Sequence, residues 1–144
     1  MIEVKFYEDV ADEFLKFAVI ISKTKNKWIF SKHKERDTYE VPGGRRELGE
    51  NIFDTAKREL REETGAVEFE IKPVCVYSVK GKTRVNVNVE DESFGMLFIA
   101  DVFSFEELHS EIEKILITDT LVEDWTYPLI QPKLIEEARC RGFL

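Results

Sequence analysis

The sequence has few of the residues that mark secreted, membrane-spanning or disulfide-linked proteins. It contains two cysteines, four prolines and two histidines in 144 residues, and no run of eighteen apolar residues that could span a membrane. Cys75 and Cys140 match no metal or redox spacing, so both are predicted to be small buried hydrophobic residues of a reduced, cytoplasmic protein. The first twelve residues lack a basic segment followed by an apolar one, which argues against a signal peptide.

The chain also lacks the positive charge that duplex nucleic acid requires. Its net charge is −8, which argues against a duplex as a general partner. The charge is uneven, because residues 22–46 carry eight basic and three acidic side chains. This segment either steers a small anionic substrate or forms a solvated, lysine-rich hairpin.

The length and composition indicate one globular domain over residues 1–144. Hydrophobic residues make up 43% and charged residues 35% of the chain, which is typical of a soluble protein with a buried core. Strands interrupted by one central and one terminal helix predict a mixed sheet covered by helices on both faces. The predicted strands are 13–22, 28–30, 67–78, 85–89, 94–103 and 115–117. Residues 38–41 are predicted to be a short extended segment that Pro42-Gly43-Gly44 ends, and the terminal helix is 131–139, with Pro132 in its first turn.

Residues 51–64 predict the central helix. Asn51 can cap its first turn, Asp54 favours the positive end of the helix dipole, and Gly65 supplies a left-handed stop. An apolar stripe is predicted to face the core, and it comprises Phe53, Ala56 and Leu60.

Three carboxylates lie together on one side of this helix. Glu59, Glu62 and Glu63 stand at i, i+3 and i+4, a spacing at which like charges destabilise an isolated helix. Carboxylate oxygens are the ligands that Mg²⁺ or Mn²⁺ selects, and a bound cation would turn the repulsion into coordination. The alternative is a solvated acidic face.

The wider spacing favours a metal site. Residues 44–66 read GRRELGENIFDTAKRELREETGA, with seven identities at fixed positions that would coincide by chance at roughly one in 10⁹ starting points. They resemble the Nudix box, G-x5-E-x7-R-E-U-x-E-E-x-G-U, where U is a bulky aliphatic residue. The last position departs from the pattern, because Ala66 is small. The matching identities are Gly44, Glu50, Arg58, Glu59, Glu62, Glu63 and Gly65.

The resemblance implies an α/β Nudix fold, which is an α/β/α sandwich with a mixed β-sheet and the box as loop–helix–loop. It implies that Glu59, Glu62 and Glu63 bind divalent metal together with the backbone carbonyl of Gly43. Arg58 resembles the arginine that orients these glutamates, and Glu50 the glutamate that supports the metal ligands from behind.

The implied reaction is magnesium-dependent attack of water on phosphorus. The proton acceptor is either a box glutamate, Glu59 or Glu63, or a glutamate on a later loop. Glu111 is the candidate for that later position, with Glu113 behind it. His33 and His109 show no partner spacing and are predicted to lie outside the site.

The substrate is predicted from a weaker resemblance, that of residues 28–33 and 39–44 to MutT-like nucleoside triphosphate hydrolases. The Gram-positive branch, which acts on oxidised guanine nucleotides such as 8-oxo-dGTP, is the most similar. Lys32 or Arg36 could contact phosphates, or both could be free surface cations. Candidates for the base pocket, which could equally be core residues, are Val41, Phe94, Phe98 and Gln131.

Two other functions stay open at this point. One is removal of pyrophosphate from the 5′ end of triphosphorylated RNA, which uses the same chemistry in a more open and basic groove. The other is a nucleotide-sensing domain without catalysis, although such relatives typically lose box glutamates and this sequence keeps them. The sequence does not indicate whether the protein is a monomer or a dimer.

Overall fold

The computed structural model describes residues 1–108 and 111–144, and His109 lies outside them. One seven-stranded mixed sheet runs through this part of the chain in the order β1-β5-β6-β2-β3-β7, with β4 paired to β2. The strands β2 and β6 are parallel, and the other pairs are antiparallel. The strands are β1 (Glu3–Tyr7), β2 (Leu15–Thr24), β3 (Lys27–His33), β4 (Gly43–Arg45), β5 (Ala66–Lys80), β6 (Glu92–Phe105) and β7 (Ile112–Thr118).

In the described residues, two α-helices cover the sheet, one on each face. Helix α1 (Ile52–Thr64) packs Ala56 and Leu60 into one core, and helix α2 (Gln131–Cys140) packs Leu134 and Ile135 into the other. The predicted α/β/α sandwich with a mixed sheet is therefore confirmed. Neither helix is long and apolar enough to cross a membrane.

The strands β2 and β3 separate along their length, and this separation creates the site. They pair only from Ser22 to Thr24 on β2, and the earlier residues 17–19 of β2 pair with β4 instead. The segment leading to β4 fills the gap, because Glu40 bridges to Ser31 of β3 and the amide of Ile20 donates to the carbonyl of Pro42. The Pro42-Gly43-Gly44 segment, whose glycines begin β4, is thus held between two strands beside helix α1.

Two predicted features are wrong. Residues 85–89 form no strand, because the side chain of Asn86 is buried and donates to the carbonyls of Val79 and Asp91, which closes a turn. Val87 and Val89 are left exposed. Cys140 is exposed on helix α2, whereas Cys75 is buried as predicted.

Candidate active site

Helix α1 begins and ends where the sequence predicts. The side chain of Asn51 accepts a hydrogen bond from the amide of Asp54, and Asp54 accepts one in return from the amide of Asn51. Gly65 ends the helix with φ at 77°, in the left-handed region that glycine adopts freely. Phe53 departs from the predicted core stripe, since it is 40% exposed, although its ring contacts that of Phe98. The helix is therefore anchored at both ends, which fixes the direction of its acidic face.

Arg58 forms ion pairs with four carboxylates around helix α1. Its Nε lies 2.6 Å from Oε2 of Glu50, and its second Nη atom lies 3.0 Å from Oε1 of the same group. Its first Nη atom lies 2.7 Å from Glu59 and 3.3 Å from Glu62, and Glu47 stands 3.5 Å away. The hydrogen bonds from Arg58 lower the pKa of Glu50 to about 2. The arginine thus holds Glu59 and Glu62 in fixed positions while Glu50 holds the arginine.

Glu59 is crowded and poorly solvated. It is 8% exposed, and its burial, followed by the charge of Glu63, raises its pKa to about 7. Gly44 makes room for it, because a Cβ atom at that position would overlap the Glu59 carboxylate. The first glycine of the box is therefore required by close approach of a side chain rather than by an unusual φ.

Glu63 takes part in a second cluster that the sequence analysis did not anticipate. Its Oε1 accepts a hydrogen bond of 2.9 Å from the amide of Gly43, and its Oε2 lies 3.5 Å from Nε2 of His33. The same imidazole nitrogen lies 3.5 Å from Glu40, which is 5% exposed and also bonds Arg36 at 3.1 Å. Hydrogen bonding to Glu63 raises the pKa of His33.

The prediction that His33 lies outside the site is therefore wrong. The sequence did contain a pattern that could have placed His33 in the site. The predicted strand at residues 28–30 is followed by the extended segment 38–41, and when the two segments pair, His33 lies beside Glu40. Within the described residues, His33, Glu40 and Glu63 form a group that could hold a metal ion, because one potential ligand atom of each lies within 4.8 Å of the others.

The donor set fits a divalent cation. Glu40, Glu59 and Glu63 are each less than 9% exposed, and burial, followed by the charge of Glu63, raises the pKa of both Glu40 and Glu59. Buried carboxylates that repel each other are stabilised by a cation, and hard oxygen ligands select Mg²⁺ or Mn²⁺. Glu62 differs from the others, because about half of its side chain is exposed.

Glu111, the candidate proton acceptor on a later loop, and Lys32, a candidate phosphate contact, lie in different surroundings. Glu111 is exposed, and its carbonyl accepts a hydrogen bond from the amide of Lys34, next to His33. Its backbone therefore lies at the end of β3 that carries the cluster. Lys32 is paired with Glu113 at 2.8 Å rather than free.

An open cavity of about 600 Å³ adjoins the carboxylates, with Glu40, Gly43 and Gly44 in its wall. The predicted pocket residues Val41 and Gln131 line it. Phe98 does not, because it is fully buried in the core against Phe53, and its predicted contact with a base is therefore corrected. The mouth carries three cations that the sequence analysis did not select for the pocket, which are Arg45, Lys82 and Arg84.

Comparisons with known proteins agree with this geometry. A model of the NUDIX domain matches residues 14–134. The candidate 8-oxo-dGTP diphosphatase YtkD of Bacillus subtilis (strain 168) is 30% identical over 106 residues, and the match spans 74% of this chain and 62% of YtkD. The chain thus covers less than two thirds of that relative.

Solved structures share the fold. The pyrophosphohydrolase BsRppH of Bacillus subtilis superposes with a TM-score of 0.78 at 23% identity, covering 99% of this chain and 92% of that one. The MutT protein of Bacillus halodurans superposes with a TM-score of 0.53 at 23% identity, covering 88% and 81%. At these identities the likeness extends to the fold alone.

Proposed function

Since the chain belongs to the Nudix family, we propose that it is a magnesium-dependent pyrophosphohydrolase that converts a nucleoside triphosphate to the monophosphate and pyrophosphate. The observation that carries this proposal is the pair of buried, mutually repelling carboxylates of Glu59 and Glu63 on helix α1. They lie against Gly43 and Gly44, which form part of the wall of a cavity large enough for a nucleotide. The resemblance of YtkD makes an oxidised guanine nucleotide the first substrate to test.

In this proposal Glu59, Glu62 and Glu63 hold the cation with the carbonyl of Gly43. A bound cation would supply positive charge against the phosphates and would lower the pKa of the attacking water. Manganese would serve in the same way, because it selects the same oxygen ligands.

The residues around the cation orient its ligands and receive the proton of the water. Arg58 donates hydrogen bonds to Glu59 and Glu62, and the amide of Gly43 donates one to an oxygen of Glu63. The second oxygen of Glu63 faces His33, so a proton accepted there can be shared with the imidazole. Glu111 is the competing acceptor, since its backbone is bonded beside His33.

The proposal is tested by measuring pyrophosphate release from natural and oxidised nucleoside triphosphates, ADP-ribose and dinucleoside polyphosphates, ranked by kcat/KM. We expect a triphosphate to rank first and magnesium to be required. Preference for ADP-ribose or a dinucleoside polyphosphate would contradict the proposed substrate, and absence of any hydrolysis would contradict the proposed activity.

A second substrate is favoured by the cations at the mouth of the cavity. Arg45, Lys82 and Arg84 could contact the further phosphates of an RNA chain whose 5′ triphosphate occupies the site. A short 5′-triphosphate RNA in the same screen decides between the two. A kcat/KM at least about tenfold above that of every free nucleotide would identify RNA as the substrate.

A further inference from the structure

Tyr77 on strand β5 places a phenol in the wall of the cavity. The residue is 5% exposed and lines the cavity beside Val41 and Val79. A buried tyrosine hydroxyl ordinarily finds a hydrogen-bond partner, because an unpaired polar group away from water is unfavourable. Burial alone raises the pKa of Tyr77, with no hydrogen bond to another described residue contributing.

A glycine on the neighbouring strand determines where this phenol lies. Gly95 of β6 stands opposite Tyr77 in the β5–β6 register and opposite Phe17 in the β2–β6 register. A Cβ atom at Gly95 would lie 2.7 Å from Cε1, Cζ and the hydroxyl oxygen of Tyr77. The ring therefore crosses β6 in the space that a side chain would fill, which carries the hydroxyl across the sheet.

The other deeply buried polar groups of the cavity wall already have partners. The amide of Gln131 is used on both sides, because its oxygen accepts from the amide nitrogen of Val41 and its nitrogen donates to the Val41 carbonyl. Glu40 is paired with Arg36 and His33. Of the described wall residues that are more than nine-tenths buried, Tyr77 is the one with an uncommitted polar atom.

We propose that Tyr77 is a specificity-determining residue whose hydroxyl hydrogen-bonds the edge of the substrate's base, and this rests on the proposed function. The flat faces of a nucleobase suit the apolar wall formed by Val41, Val79 and Ile130. A phenol can donate or accept one hydrogen bond, so it distinguishes bases by the groups on their edges. With the base at Tyr77, the phosphates extend toward Glu40, Gly43 and the carboxylates of helix α1.

The test is the variant Tyr77→Phe, which removes one oxygen and keeps the ring. Steady-state kinetics with the four natural triphosphates should show kcat/KM for the preferred nucleotide falling about 5–10-fold, mainly through KM, and for the others less than about 2-fold. Calorimetry with the preferred nucleoside monophosphate should show a Kd that is higher by the same factor. Tyr39→Phe is the matched control, because Tyr39 does not line the cavity, and it should leave both measurements unchanged.

The variant Gly95→Ala tests the same contact from the neighbouring strand. Its methyl group would displace the phenol. The differences in kcat/KM among the four nucleotides should therefore become smaller, as we expect for Tyr77→Phe. If Gly95→Ala fails to fold, Tyr77→Phe alone decides.

Equal losses for all four nucleotides, or no loss, would overturn the inference. Equal losses would mean that Tyr77 contacts the sugar or supports the wall. Base-dependent binding of monophosphates that is weakened by Tyr77→Phe, in a protein that hydrolyses no triphosphate, would overturn the proposed function and leave this inference standing.

Discussion

Arg58 is the residue that makes the acidic face of helix α1 possible in the absence of a cation. Its guanidinium bonds Glu50 through two nitrogens and reaches Glu59 and Glu62 with a third. A planar group with five donors can hold several carboxylates at once, whereas an ammonium group is a single point charge. The arginine therefore offsets repulsion within the cluster and sets its geometry before any ligand arrives.

Replacing Arg58 by Lys should weaken metal activation more than it weakens the fold. Lysine keeps the positive charge but loses the two-nitrogen contact with Glu50, so Glu59 and Glu62 would no longer be held. We expect the Mg²⁺ concentration for half-maximal rate to rise at least about tenfold, since partners that orient metal ligands typically contribute 10–100-fold. A magnesium titration of the initial rate checks this, and an unchanged midpoint would contradict the orienting role.

The variants Glu62→Gln and Glu63→Gln should each lower kcat by at least ~10²-fold, comparable to the loss of one strong electrostatic stabiliser. Both glutamines keep an oxygen acceptor, so Glu63→Gln can still accept the amide of Gly43 and the fold should survive. Steady-state kinetics at saturating Mg²⁺ is the measurement. Glu136→Gln on the exposed face of helix α2 is the matched control. Near-normal turnover in either variant would remove that residue from the ligand set.

The proton acceptor is identified by comparing Glu63→Gln with Glu111→Gln. If Glu63 accepts the proton, Glu111→Gln should leave kcat within about threefold of the wild-type value, since loss of a general base costs typically 10²–10⁴-fold. Initial rates from pH 6 to 9 check this. A fall of ~10²-fold or more in Glu111→Gln would assign the role to Glu111 instead.

Glu59 should make the metal-free protein less stable as pH rises. Its folded-state pKa is about 7, against an ordinary value of 4.5, so the folded protein binds the proton more tightly than the unfolded chain. Stability is therefore lost as pH rises from about 4.5 to about 7. Glu59→Gln removes this loss, so without metal the variant should melt higher than the wild type at pH 8 and equally at pH 4.5.

Thermal melts in the presence of a chelator measure the difference in Tm between Glu59→Gln and the wild type at each pH. A gain of about 3–8 °C at pH 8 corresponds to one to two kcal/mol in a chain of this length. Added Mg²⁺ should raise the Tm of the wild type and so reduce the difference in Tm between Glu59→Gln and the wild type. A variant that melts below the wild type at pH 8 without metal would show that the Glu59 carboxylate stabilises the fold by itself.

At the scale of the element, helix α1 was predictable because its signals are local. The capping box, the left-handed glycine and the periodic apolar residues each depend on neighbours within one or two turns. The box glutamates and Arg58 follow from the same short stretch. Their orientation toward one another was thus predictable once the helix was identified.

The elements that the sequence did not reveal depend on distant partners. Strand β1 has its hydrogen bonds with β5, more than sixty residues later, and β4 exists only because β2 and β3 separate. Residues 85–89 alternate as a strand does, but the side chain of Asn86 bonds backbone carbonyls and the valines remain exposed. Tertiary pairing and side-chain capping decided these segments, and neither is visible in local periodicity.

Asn51→Ala tests how much the anchoring of helix α1 contributes. The change removes the hydrogen bond that the Asn51 side chain accepts from Asp54. It should lower the free energy of unfolding by about 0.5–2 kcal/mol, the usual range for loss of a cap. Urea denaturation measures this, and the variant should keep its kcat because Arg58 still orients the carboxylates. An undiminished free energy of unfolding would show that the cap is not needed.

At the scale of the whole molecule, the sheet brings together groups that are far apart in sequence. Glu63 comes from helix α1, His33 from the end of β3, and Glu40 from the segment that fills the gap between β2 and β3. One wall of the cavity beyond them is formed by residues 126–130 and by Gln131 at the start of helix α2, whose side chain bonds both backbone groups of Val41. A carboxylate site and a pocket for a nucleoside thus share one wall.

The most direct test of the account is ³¹P NMR of a nucleoside triphosphate incubated with the protein while the Mg²⁺ concentration is raised. The account predicts that resonances of monophosphate and pyrophosphate grow together, that they depend on Mg²⁺, and that a chelator or Glu63→Gln suppresses them. A spectrum in which the triphosphate persists at every Mg²⁺ concentration, or in which diphosphate and inorganic phosphate appear instead, would contradict it.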